Sequence, residues 1–134
     1  MAHWLIKTEP SVYSYDDLVK AKRTTWDGVS NPAALKNIRA IGRGDEVFLY
    51  HTGDEKRIVG VARAESGAYP DPKAKNEKLV VFDLSPVRKL PRPVTLEEIK
   101  ARKEFSDWAL VRQGRLSVMP VPETIWKAIL EMAA

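Results

Sequence analysis

Cysteine is absent from this 134-residue chain, and only two histidines occur, His3 and His51. The first absence excludes disulfide scaffolds, thiolate zinc motifs and iron–sulfur clusters. The second leaves too few imidazoles for a metal site without carboxylate help, and neither an HExxH nor an HxH spacing exists. No apolar run reaches the length of a membrane helix, and Met1-Ala2-His3-Trp4 lacks the charged region and apolar stretch of a secretory leader. The expectation is a cytoplasmic protein that uses no metal, no cofactor and no membrane. Repeats, low-complexity tracts and linkers are also missing, so residues 1–134 read as one domain, enough to bury roughly two-thirds of its unfolded surface.

What is present is a modest positive charge in one place. The net charge is +4, and between Ser85 and Arg115 eight basic residues face four acidic ones, whereas the remainder balances 14 against 14. A neutral domain with one basic region, including Arg88, Arg112 and Arg115, can attract phosphates. Glu98, four residues before Arg102, shows that part of this run is an ion-paired, solvated face.

The periodicities predict short strands joined by short helices. His3 to Thr8 alternates as a centrally paired strand, with Trp4 and Ile6 on one face. Ser14 caps a helix from Tyr15 to about Lys22, with Asp16 and Asp17 in its positive first turn. Asn31-Pro32 reads as cap and first residue of a helix to about Ala40, so Thr24-Thr25-Trp26-Asp27-Gly28-Val29-Ser30-Asn31 is expected to be a loop ending where free amides face outward. Gly42 and Gly44 form a turn before a strand from Glu46 to His51; helix, turn, strand is the wrong order for a dinucleotide fingerprint. A strand from Arg57 to Ser66 has a small face, Ile58, Gly60, Ala62 and Ala64, suited to a curved sheet against which another backbone packs. Leu79 to Leu84 is the next strand, Thr95 with Glu98 is a capping box for a helix to about Lys103, and Leu116 to Val121 is a last short strand. Ile125, Trp126, Ile129, Leu130 and Met132 then give an amphipathic C-terminal helix. The pattern is α+β with a small mixed or barrel-like sheet.

Few residues suggest catalysis. Ser117, His51 and Asp71 can be drawn into a triad, but no GxSxG elbow supports it. Glu9 before Pro10 is a possible general base and a commoner cap or ion-pair partner of Lys7. The aromatics are the better lead. Trp4, Trp26, Tyr50, Tyr69 and Trp108 fall on strands or loops, and Trp26 and Tyr50, with His51 third, are expected to face a pocket.

Several segments occur in a telling order: Trp4-Leu5-Ile6-Lys7-Thr8-Glu9-Pro10, Thr24 to Asn31, Gly44-Asp45 with Tyr50-His51, Ile58-Val59-Gly60, Ala68-Tyr69-Pro70-Asp71-Pro72, and Arg115-Leu116-Ser117-Val118. Together they resemble the EVE domain, a family of the PUA-like group, over nearly the whole chain. The resemblance implies a PUA-like small pseudo-barrel with a mixed or antiparallel sheet and short helices in its connections. It also implies a cleft similar to that of the YTH readers of methylated adenine, and a non-enzymatic module for nucleic acid, DNA or RNA, that recognises a modified base, above all modified cytosine in DNA. Carried over by matching position, the base pocket comprises Lys7, Trp26, Val29, Asn31, Tyr50, His51 and Ser117, with Arg88, Arg112 and Arg115 for phosphates. The alternatives are an RNA- or nucleotide-processing enzyme using Glu9, His51 or Asp71, and a small-molecule sensor using the same cleft. Relatives often carry Ser at Thr8, Arg at Ser30 and an aromatic residue at Pro32; the second difference removes a cation beside the pocket.

Overall fold

In the computed structural model, which describes all 134 residues, the alternation at the N-terminus becomes strand β1, His3–Thr8. Helix α1, Tyr15–Ala21, begins at a capping box in which Ser14 and Asp17 satisfy each other's backbone amides. Strand β2, Thr24–Trp26, follows, so the first part of the expected loop is extended and paired. Asn31 caps α2, Pro32–Ala40, accepting from the amides of Ala33 and Ala34. The antiparallel strands β3, Glu46–His51, and β4, Arg57–Ala64, come next. Strand β5 is only Tyr69–Pro70, and β6 runs from Val80 to Thr95. The second capping box, Thr95 with Glu98, opens α3, Leu96–Lys100. A 3-10 turn at Lys103–Phe105, helix α4 at Ala109–Arg112, strand β7 at Val118–Pro120 and helix α5 at Glu123–Met132 complete the chain.

The sheet is mixed and curled, in the order β2-β6-β4-β3-β1-β7, with β5 paired to β6. Only β1 and β3 run parallel, and β1 lies inside the sheet between β3 and β7, as its apolar run predicts. Helix α2 contacts both β6 and β7, and Asn37 Nδ2 donates to the Val118 carbonyl at 2.6 Å, so α2 bridges the open side of the curl. The apolar stripe of α5 is core: Trp126 stacks on Phe48 at 3.7 Å and on His3 at 4.4 Å between ring centroids.

Strand β6 continues far beyond Leu84, through Pro86, Pro91 and Pro93. Proline is tolerated there because the ladder with β4 slips its register twice: Pro91 and Pro93 fall in the unpaired stretch between Lys89 and Val94, and Pro86, paired with Ala62, lies beside the other slip. The small face of β4 receives a ring, not another backbone. A Cβ at Gly60 would lie 2.6 Å from the Tyr15 ring, whose hydroxyl donates to the Val61 carbonyl at 2.7 Å. Burial pushes the Tyr15 phenol up to about 12, so it stays a donor.

Candidate functional site

An open cleft of about 810 Å³ falls within the size range of small-ligand sites. Its walls come from the end of β1 and the turn after it (Lys7, Thr8, Glu9, Val12, Tyr13), from β2 and the loop into α2 (Thr24 to Asn31), and from Lys73 and Ser117. Sheet pairing assembles them: β1 binds β7 antiparallel, which brings Ser117 beside Lys7, with the Lys7 amide donating to the Ser117 carbonyl at 2.9 Å. Strand β2 is fixed on the opposite side by Asp83, which accepts from Thr25 at 2.9 Å, Tyr69 at 2.6 Å and Arg23 at 3.1 Å. These bonds, the one from Tyr69 foremost, hold the Asp83 carboxyl below its usual range.

The cleft contains an aromatic corner in which Tyr13 meets Trp26 edge to face, ring centroids 5.9 Å apart. Trp26 is 9% exposed and belongs to the main core, so it offers a ligand only a small part of its indole surface, less than a full stacking platform. Around this corner several polar groups have no partner within the protein. The Tyr13 hydroxyl is buried and unbonded, and the side chains of Asp27, Ser30 and Ser117 make no hydrogen bond or ion pair while lining the cleft. Native proteins satisfy nearly all buried polar groups, so the buried Tyr13 hydroxyl marks a place where a ligand supplies a partner; Asp27 and Ser30 are exposed and Ser117 half-buried, open to the same ligand. Gly28, at φ +75, turns the chain between Asp27 and Val29 in a conformation that a side chain would strain.

Five of the seven residues expected in the base pocket line this cleft: Lys7, Trp26, Val29, Asn31 and Ser117. Asn31 is partly occupied, since its Oδ1 caps α2 and only its amide nitrogen is left over. Tyr50 and His51 lie outside. Tyr50, 3% exposed, faces a second, smaller hollow on the other side of Lys7, whose ammonium sits 5.7 Å from the Tyr50 ring centroid. His51 is tied down structurally: Nε2 accepts from the Tyr15 amide at 3.0 Å, which leaves Nδ1–H to face Glu55 at 3.0 Å. That bond, with Arg57 adding to it, holds the Glu55 carboxyl below its usual range. The Ser117–His51–Asp71 triad is therefore not gathered: of Ser117, His51, Asp71 and Glu9, only Ser117 and Glu9 line the cleft.

The expected phosphate contacts are also displaced. Arg88 is exposed on the stretch of β6 next to the Lys89–Asp16 ion pair, Arg112 pairs with Asp107 at 3.3 Å, and none of Arg88, Arg112 and Arg115 lines either hollow. The cations that do are Lys7 and Lys73 in the cleft, and Lys7, Lys56 and Lys100 in the smaller hollow. Lys7 donates to the Gly114 carbonyl at 3.0 Å, and burial holds its pKa below the ordinary lysine value. Lys56 and Lys73 sit on turns outside the basic segment, where charge counting gives no signal. Tyr13 was equally invisible, because its meeting with Trp26 depends on how the turn after β1 folds over β2.

A curled mixed sheet bridged by a helix, with a cleft at the end of its strands, is a PUA-like fold. Within that class the chain belongs to the EVE domain family, whose profile matches residues 2–132. It is similar to a Rhodopseudomonas palustris protein of known structure, with 41% identity, TM-score 0.94, and coverage of 99% of this chain and 93% of the other. Human thymocyte nuclear protein 1 is 30% identical over 98% of this chain and 73% of that protein. The structure of that human protein (THYN1) in complex with DNA containing 5-methylcytosine aligns with TM-score 0.89 and 30% identity, covering 99% of this chain and 98% of that one. The ASCH protein of Zymomonas mobilis, 14% identical with TM-score 0.63 over 98% of this chain and 95% of its own, shares the fold.

Proposed function

We propose that this protein is a non-enzymatic reader of modified cytosine in DNA, and that the base is flipped out of the duplex into the Trp26–Tyr13 cleft. The observation that carries the reading is the set of unpartnered polar groups around that aromatic corner. Cytosine presents an N4 amino donor beside ring acceptors, and carboxylates are its natural counterpart. Asp27 and Glu9 supply carboxylates in the cleft, Ser117 and the Asn31 amide supply further polar contacts, and Val29 with the Trp26 edge supplies apolar surface for a 5-methyl group. The likeness to the human relative crystallised with 5-methylcytosine DNA supports the same ligand class here.

A methyl group alone adds about 1–3 kcal/mol of discrimination in an apolar pocket. Titration of the protein with a duplex carrying one 5-methylcytosine and with its plain counterpart is therefore expected to show tighter binding of the modified duplex by about tenfold or more. Substitution Asp27→Asn should weaken binding of the modified duplex while leaving the melting temperature in place. Equal affinity for the two duplexes would overturn the reading, as would turnover of either.

A further inference from the structure

We infer that the smaller hollow beside the cleft is a phosphate subsite, which holds a backbone phosphate of the strand whose base enters the cleft. It measures about 220 Å³, and its charged lining consists of lysines alone: Lys7, Lys56 and Lys100. Neither Lys56 nor Lys100 takes part in an ion pair, although their neighbours do: Arg57 with Glu55, Arg92 with Glu98, and Arg102 with Glu104. Two of the nearby carboxylates are turned away, Glu55 toward His51 and Arg57, Glu98 toward Arg92 and the α3 cap.

The hollow is also held in shape. Lys56 adopts φ +45, a left-handed conformation unusual for a residue with a side chain, and its carbonyl accepts from the Leu96 amide at 2.8 Å, which locks the β3–β4 turn against α3. Lys7 belongs to both hollows, and a base and its phosphate are separated by one sugar, so a single nucleotide can bridge them. The charges divide accordingly. Asp27 lies on the base side alone, where it accepts from an amino group, and Glu9 stands at the boundary, its Oε2 accepting from Thr52 at 3.4 Å beside Gly53 at the rim of the smaller hollow, against the three lysines there. Lysine serves here as a point charge that neutralises phosphate without reading sequence.

This subsite rests on the base reading above, and the two can fail separately. Affinity for the modified and plain duplexes is measured across a salt series for wild type, for the double variant Lys56→Gln/Lys100→Gln, and for Lys127→Gln on α5 as a control outside both hollows. The double variant should bind both duplexes about tenfold more weakly at low salt, with a log–log salt slope shallower by about 1–2 and an unchanged ratio of modified to plain affinity; the control should match wild type. Unchanged affinity and slope in the double variant, with wild type still preferring modified DNA, would overturn the subsite and leave the base reading standing. Loss of preference in wild type would overturn the base reading, and a shallower slope would still support the subsite. Inorganic phosphate is titrated separately: saturable binding that disappears in the double variant, in a protein that ignores DNA, would assign the hollow to free phosphate and overturn its role for a strand.

Discussion

Two corners of this molecule are built from the same residue types, a tryptophan, an aspartate and a glycine turn, and they are put to opposite uses. At Trp4 the turn Gly42 to Asp45 closes on itself. The Asp45 carboxylate, 8% exposed, accepts from the Trp4 indole at 2.9 Å, the Gly42 amide at 2.8 Å and the Ala2 amide at 3.0 Å. Burial opposes its ionisation, but these three donors outweigh it and hold the carboxyl below its ordinary value. At Trp26 the turn Asp27-Gly28 opens outward. Its aspartate is exposed and unpartnered, and the neighbouring Tyr13 hydroxyl finds no acceptor. The first corner spends its hydrogen bonds on the fold and the second keeps them for something else. A motif of residue types therefore does not identify a site; the state of its polar groups does.

The contrast can be broken most forcefully at the tryptophans. Trp26 is buried in the main core, so Trp26→Ala should cost about 3–5 kcal/mol of stability, measurable as a lowered denaturant midpoint, and is a poor probe of binding alone. If that variant unfolds at the wild-type midpoint, the second corner is more open than its burial indicates. Next in size, Asp45→Ala strands three donors, one of them the indole of a buried tryptophan, and should cost about 3 kcal/mol. DNA binding by the folded fraction should be unaffected, and a stability change below about 1 kcal/mol would show that water replaces the carboxylate.

A smaller effect follows from pH. A carboxyl whose folded pKa lies below its ordinary 3.8 adds stability above the unfolded value and loses that contribution as pH falls through the folded one. Stability should thus be steady from neutral pH to about pH 5 and decline below it, and Asp45→Asn should flatten that acid limb without removing it. The remaining slope comes from Asp17, Glu55, Asp83 and Glu98, also held low by hydrogen bonds. Superimposable acid limbs for wild type and variant would contradict the assignment. The smallest effect on stability is expected at the open corner: Asp27→Asn should change unfolding by less than about 0.5 kcal/mol, as exposed positions do, while weakening modified DNA. Equal changes in stability from Asp27→Asn and Asp45→Asn would erase the contrast between the corners.

Much of the fold was legible because it is written locally. Both capping boxes, the Asn31-Pro32 start of α2, the alternation of β1 and β3 and the stripe of α5 lie within a few residues of the atoms they organise. The full length of β6 was not legible, since three prolines signal an end and only the bulged ladder with β4 makes them tolerable. The cleft was half legible. Lys7, Trp26, Val29, Asn31 and Ser117 line it together, whereas the adjacent pair Tyr50-His51 turns away, Tyr50 to the far side of Lys7 and His51 into bonds with Tyr15 and Glu55. The basic segment from Ser85 to Arg115 was read as one surface, yet it is distributed over β6, α3 and α4, and its arginines reach neither hollow.

By itself the sequence determined the local elements, the absence of thiol chemistry and, through the order of its motifs, the family. Tertiary structure alone decided which side chains share a space. Lys7, Trp26, Lys73 and Ser117 are far apart along the chain and become neighbours only because β1 pairs with β7 and β2 with β6. It also decided which polar groups are left without a partner, for a hydrogen bond spans about 3 Å in space and takes no account of distance along the chain.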